Sequence, residues 1–245
     1  MSGSWPAQLT LVRHGQSLGN VADEAAHAAG AAVIDIDVRD PDVELTELGV
    51  RQAQAVGRRW AAEPLDVPDV VVSSPYARAL STARLAIAQA SCSPDIVVDE
   101  RIRERDLGIF DGLTALGIRT RFPDEATRRA HLGKFYYRPP SGESWADLAL
   151  RVRAIIHDVR EQFGGRRVAV FSHQAVLFVF RYVLETLTEE QVLELSAREP
   201  LHNGAITRYA SVDGVHLSLV AHDLTDHLDA DGTVATGKHD VHAEI

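Results

Sequence analysis

Residues 9–20 read Leu-Thr-Leu-Val-Arg13-His14-Gly15-Gln16-Ser17-Leu-Gly-Asn20. The first four form a short apolar, β-prone run, after which the chain turns abruptly to a cation, an imidazole and a glycine. The same change recurs where Val168–Phe171 runs into Ser172-His173, and Val70–Ser73 leads straight into a helical pattern that carries Arg78. In open α/β sheets ligands bind at the carboxyl ends of the strands. Three strand ends therefore deliver two imidazoles and two guanidiniums to one rim.

Further apolar runs at 96–98, 206–209 and 215–220 alternate with amphipathic stretches, the rhythm of a mostly parallel sheet covered by helices. Ser74-Pro75 reads as an N-cap followed by proline at the first helical position, with Tyr76, Ala79, Leu80, Ala83 and Ile87 as one apolar stripe. Ser144 and Asp147 form a capping pattern ahead of Trp145, Leu148, Val152, Ile155, Ile156 and Val159, and Thr46 opens a helix through Trp60. The expected fold is α/β, a three-layer α/β/α domain with a mostly parallel central sheet, spanning 1–245 as a single domain. An insertion is expected at about 21–44, with Ile34, Ile36 and Val38 alternating with Asp35 and Asp37. A small cap is expected at about 113–143, where Arg128, Arg129, Lys134 and Arg138 stand among Phe135, Tyr136 and Tyr137. The polar, acidic tail at about 224–245 is expected to be poorly ordered.

The 245 residues carry 25 Lys plus Arg against 35 Asp plus Glu, a net charge of −10, which argues against nucleic acid or anionic lipid as a partner. Cys92 is the single cysteine, so disulfide, Cys-x-x-Cys and cysteine-cluster metal chemistry are excluded. No apolar run approaches the roughly 18 residues of a membrane span, and the start of the chain does not read as a secretory signal. The expectation is a soluble, cytoplasmic protein, with a homodimer left open. Asp229-Ala-Asp231-Gly232 imitates part of a calcium loop, but the pattern places His227 at its first position and Lys238 where the bidentate glutamate belongs.

What remains is chemistry by histidine, carboxylate or hydroxyl groups. A phosphate monoester carries nearly two negative charges, which planar guanidiniums neutralise through paired, charge-assisted hydrogen bonds. A neutral imidazole can take the phosphoryl group covalently, and a second imidazole, when protonated, stabilises the charge of the transition state.

The set Leu11-Val-Arg13-His14-Gly15-Gln16-Ser17 with Asn20, Leu45-Thr-Glu-Leu-Gly49, Ser73-Ser-Pro-Tyr-Ala-Arg78, Arg103-Glu104 with Gly108 and Gly112, Pro140-Ser-Gly-Glu143-Ser144 and Ser172-His173 resembles, in order, the motifs of the histidine phosphatase superfamily, the phosphoglycerate mutase-like proteins. The resemblance covers about 9–221. It implies His14 as the nucleophile, Glu104 as the general acid, His173, Arg13 and Arg78 as the phosphate pocket, and further contacts from Asn20 and from Gln174 at a helix start. It implies neither metal nor organic cofactor. Glu104 also has a plainer reading, as a member of an ion-pair network with Arg101, Arg103 and Arg105. Glu143 and Ser144 are accounted for by capping, and Thr82 by packing one turn from Arg78.

Phosphoglycerate mutases of this family continue the first motif with basic and aromatic residues, whereas Val21–Gly30 contains neither lysine nor arginine. The sequence therefore favours a phosphatase acting on a small phosphorylated metabolite, over a mutase, a non-catalytic phosphometabolite-binding module or a protein phosphohistidine phosphatase. Specificity is expected to rest on the cap, whose arginines would welcome an additional anionic or polyhydroxylated group on the substrate.

Overall fold

The computed structural model describes residues 3–230 and 232–237. In chain order the elements are β1 (Gln8–Arg13), α1 (Leu18–Ala28), α2 (Glu47–Ala62), β2 (Val70–Ser73), α3 (Ala77–Ala90), β3 (Asp95–Val98), α4 (Ala115–Arg121), α5 (Pro123–Leu132), α6 (Trp145–Gln162), β4 (Arg167–Ser172), α7 (Gln174–Leu184), α8 (Glu189–Arg198), β5 (Ile206–Ala210), β6 (Ser218–Leu224) and α9 (Asp226–Asp229). The six strands form one sheet in the order β3-β2-β4-β1-β5-β6. β1 to β4 pair in parallel, while β5 runs antiparallel to both its neighbours.

Side chains alternate across a strand, so each buried strand feeds two cores. Leu9 and Leu11 of β1, Val70 and Val72 of β2 and Val168 and Val170 of β4 pack with the apolar stripes of α6 and α7. Val12, Val71, Ala169 and Phe171 face the other way, against Val56 and Trp60 of α2 and Ala83 and Ala86 of α3. The three layers expected from the sequence follow from that alternation. Thr46 caps α2 through Gly49 N, and Ser144 with Asp147 forms a reciprocal capping box at the start of α6.

Three local expectations are corrected. Ser74 does not cap a helix: α3 begins at Ala77 after Tyr76, and the Ser74 hydroxyl is engaged elsewhere. The last strand starts at Ser218 because the Asp213 carboxylate accepts from Val215 N and His216 N, folding 213–216 into a turn. The segment after Asp223 is packed as far as Gly237. Leu228 and Thr233 are buried, His227 Nε2 donates to Gly204 O at 3.0 Å, and Gln52 Nε2 donates to Val234 O at 2.9 Å. Its few apolar side chains close over α2, which polar composition concealed. His239 and His242 lie outside the described residues, as does Asp231.

Candidate active site

Parallel pairing places Arg13 level with Ser172 and Ser73 level with Phe171. The residues that follow β1 and β4, His14 and His173, are therefore neighbours by register, with ring centroids 5.2 Å apart. The backbone is locked there, His14 N donating to Ser172 O at 3.0 Å and Gly204 N to Arg13 O at 3.1 Å. The turn after His14 presses on α2: a Cβ on Gly15 would stand 2.4 Å from Gly49 O, and one on Gly49 would stand 2.0 Å from Gln16 O. Only a glycine pair permits that approach. Thr82 holds the same turn by accepting from Gly15 N at 3.0 Å while donating to Arg78 O, the structural role expected of it.

A cavity of about 500 Å³ opens over this rim, lined at one end by Arg13, His14, Asn20, Arg78, Glu104 and Gln174. His14 Nδ1 lies 2.7 Å from Gly15 O. A carbonyl can only accept, so Nδ1 carries a proton, and in the neutral ring Nε2 is the nitrogen with the lone pair. Arg13 is buried and donates through Nη1 to Leu201 O. Burial lowers its pKa to about 10, with Glu104 and Asp223 opposing, which leaves it cationic at neutral pH. The Asn20 side-chain oxygen accepts from Ser17 N at 3.0 Å and from Asn203 Nδ2 at 3.3 Å, leaving its amide NH₂ as the group for a ligand.

Glu104 lines the cavity and is half-buried. Burial pushes its carboxyl above the usual range, Asp40 adds to the rise, and the hydrogen bond from Arg105 N and the charges of Arg78 and Arg151 oppose it. Two of the three guanidiniums expected to pair with it are engaged elsewhere, Arg101 with Asp99 and Asp158, and Arg103 with Glu143. Glu143 also takes two bonds from Arg151 and so lies in an ion-pair network away from the cavity lining.

His173 stands beside the His14 ring and is fully buried. Burial first, then the charges of Arg78 and its neighbours, hold its pKa well below the ordinary histidine value, a direction that favours the neutral ring. Ser74 Oγ shares a 2.8 Å hydrogen bond with His173 Nε2, and Tyr76 packs edge-on to the ring at 5.2 Å. Arg13 Nε, Trp145 Nε1, His173 Nδ1 and Gln174 Oε1 are buried polar atoms without a partner, gathered around this site. Buried polar groups are normally paired, so such a concentration marks a place where a ligand completes the bonding.

Two residues outside the sequence-derived set act on it. Asp40, from the segment between α1 and α2, holds Arg78: its carbonyl accepts from Nη1 at 2.6 Å and its carboxylate lies 3.0 Å from the same nitrogen. Ser74 orients His173. The Ser-Ser-Pro run was visible beside Arg78, but nothing local signalled Asp40. The cap cations do not line the cavity. Arg138 pairs with Asp147, Arg129 is buried, and Lys134 lies over the Trp145 ring. Among the described residues no group of three or more His, Cys, Asp or Glu side chains is placed to hold a metal ion, and no helix is long and apolar enough to cross a membrane.

An open α/β sheet with paired strand-end histidines and two arginines defines a histidine-centred phosphate site. The family model described as Histidine phosphatase superfamily (branch 1) matches residues 9–220, and the chain belongs to that family. It is 35% identical over 193 residues, 78% of this chain and 84% of the relative, to a 2,3-bisphosphoglycerate-dependent phosphoglycerate mutase of Methylobacterium radiotolerans. It is 34% identical over 202 residues to the 6-phosphofructo-2-kinase/fructose-2,6-bisphosphatase of Caenorhabditis elegans, covering 81% of this chain and 38% of that one. Among solved structures, native mycobacterial glucosyl-3-phosphoglycerate phosphatase superposes with a TM-score of 0.68 at 26% identity, covering 89% of this chain and 99% of that one.

Proposed function

We propose that this chain is a metal-independent phosphatase that hydrolyses a small phosphate monoester through a phosphohistidine on His14. The observation that carries the reading is the pairing of His14, with its proton fixed on Nδ1 by Gly15 O, and Glu104, whose carboxyl is raised by burial, at one end of one cavity. His14 Nε2 attacks phosphorus, the bond to the ester oxygen breaks, and Glu104 gives its proton to that oxygen. Water then attacks the phosphohistidine, Glu104 takes the proton back, and the phosphorus–nitrogen bond breaks. Arg13, Arg78, Asn20 and Gln174 hold the equatorial oxygens. With the Ser74 hydroxyl donating to Nε2 of neutral His173, the remaining ring proton sits on Nδ1, the nitrogen left for a phosphoryl oxygen. The cytoplasmic setting expected from a single cysteine goes with this proposal.

The mutase alternative has the support of the relative from Methylobacterium radiotolerans. Against it stands the composition of the cavity lining, which outside the phosphate set includes Ile34, Ile36, Val38 and Asp111.

The test is to mix the protein with a labelled aryl phosphate in the presence of a chelator and quench in alkali. Label that survives alkali and is lost in acid is expected for the wild type and absent for His14→Ala. Retention of turnover within about tenfold in His14→Ala, equivalent to about 1.4 kcal/mol of barrier, would refute the assignment. Phosphoglycerate interconversion faster than hydrolysis would replace the phosphatase by the mutase.

A further inference from the structure

Beyond the phosphate end, the cavity is walled by two segments that look independent in the sequence. Ile34 N donates to Gly112 O at 2.9 Å, Thr114 Oγ1 donates to Ala31 O at 2.7 Å, and Val33 forms a β-bridge with Leu113. Gly117 of α4 comes so close that a Cβ would stand 1.9 Å from Ala32 O. The insertion is thus fastened to the start of the cap and presents a built wall. Its aliphatic cavity-lining residues are Ile34, Ile36, Val38 and Val43, and Leu113 and Phe178 extend the apolar lining.

The charged lining groups outside the phosphate set are mainly acids: Asp23, Asp106 and Asp111, with Asp40 already paired to Arg78. Burial raises the Asp111 carboxyl, and the neighbouring charges of Asp40 and Asp106 raise it further, a sign of an already crowded negative field. Arg105 lines the cavity too but is already partnered within the protein, and the cap cations are outside it.

We infer that the alcohol esterified to the phosphate is uncharged and largely apolar, and that the site discriminates against substrates carrying a second anionic group. The inference rests on the phosphatase reading for its chemistry, but the preference of the cavity can be measured without turnover. A second carboxylate or phosphate would have to desolvate against aliphatic side chains and face like charges. An alkyl or aryl body instead exchanges water for that same surface.

Binding of hexylphosphonate, its analogue with a terminal carboxylate, and ethylphosphonate is measured by calorimetry, alongside hydrolysis of the three matching phosphate esters. Hexylphosphonate is expected to bind about tenfold or more tightly than either of the others, with kcat/KM in the same order. Val38→Lys, at a position 51% exposed and so tolerant of a charge, is expected to narrow the gap between the hexyl and carboxylate compounds at least about fivefold. Equal or tighter binding of the carboxylate analogue, or no effect of chain length, overturns the inference. Sorted phosphonates without hydrolysis of any ester would remove the phosphatase reading and leave the preference standing. Hydrolysis without sorting would do the reverse.

Discussion

Replacing Asp40 by asparagine isolates the effect of the charge that occupies Arg78 before any phosphate arrives. The substitution keeps the backbone carbonyl that accepts from Arg78 Nη1 at 2.6 Å and removes only the carboxylate charge 3.0 Å away. A phosphate dianion on the same guanidinium would sit a few ångströms from that carboxylate. At an effective dielectric constant near 20, like charges about 4 Å apart repel by about 4 kcal/mol. The Asp40 side chain is 39% exposed, however, so water and salt reduce the effect to about 1 kcal/mol. The expected outcome is a roughly fivefold lower KM, and a similarly lower inhibition constant for inorganic phosphate, with kcat little changed. Raising ionic strength should shrink the difference. A second readout follows from Glu104, whose carboxyl is raised chiefly by burial and additionally by Asp40. As an acid it works while protonated, so activity falls as pH rises through its pKa. Removing the Asp40 charge lowers that pKa and should move the alkaline limb of kcat to lower pH. An unchanged KM with a fall in kcat would refute this reasoning and make Asp40 a strut that holds Arg78 in position.

Glu104→Gln should spare formation of the phosphoenzyme from an aryl phosphate, whose leaving group departs as its anion, but should nearly silence alkyl phosphates. Equal losses across leaving groups of different basicity would remove Glu104 from the mechanism. Ser74→Ala leaves His173 Nε2 without its 2.8 Å partner and is expected to cost about 1–3 kcal/mol of stability, together with a fall in kcat of about tenfold. Thermal melting and single-turnover rates check it. Gly49→Ala drives a methyl toward Gln16 O, 2.0 Å from the ideal Cβ position, and should destabilise the fold by about 3 kcal/mol or more in urea titration.

The strand-end chemistry was legible because it is local. β1, β2 and β4 are short apolar runs that end in Arg13-His14, Ser73-Ser74 and Ser172-His173, and any parallel pairing that aligns such runs brings the polar residues after them to one edge. The helix starts at Thr46 and Ser144 are equally local, since a cap is a contact between residues three apart. What the sequence withheld was the occupancy of each charge. Arg138 is spoken for by Asp147, nine residues away, whereas Asp40 reaches Arg78 across 38 residues. Periodicity does not report which acid meets which base, because opposite charges on the surface have many partners of similar energy and the chain path selects among them. His173 follows the same logic: an imidazole after a strand carries no sign of its surroundings, and its complete burial, with the charges of Arg78, Arg151 and Arg13 nearby, is what holds its pKa well below the ordinary value. The apolar wall arose from hydrogen bonds between residues 31–34 and 112–114, a pairing between two irregular segments that carry no repeat for the sequence to display. Sequence thus determined the sheet, its helices and the residues gathered at the strand ends. Tertiary structure decided which of their charges are already satisfied, and therefore what the rest of the cavity accepts.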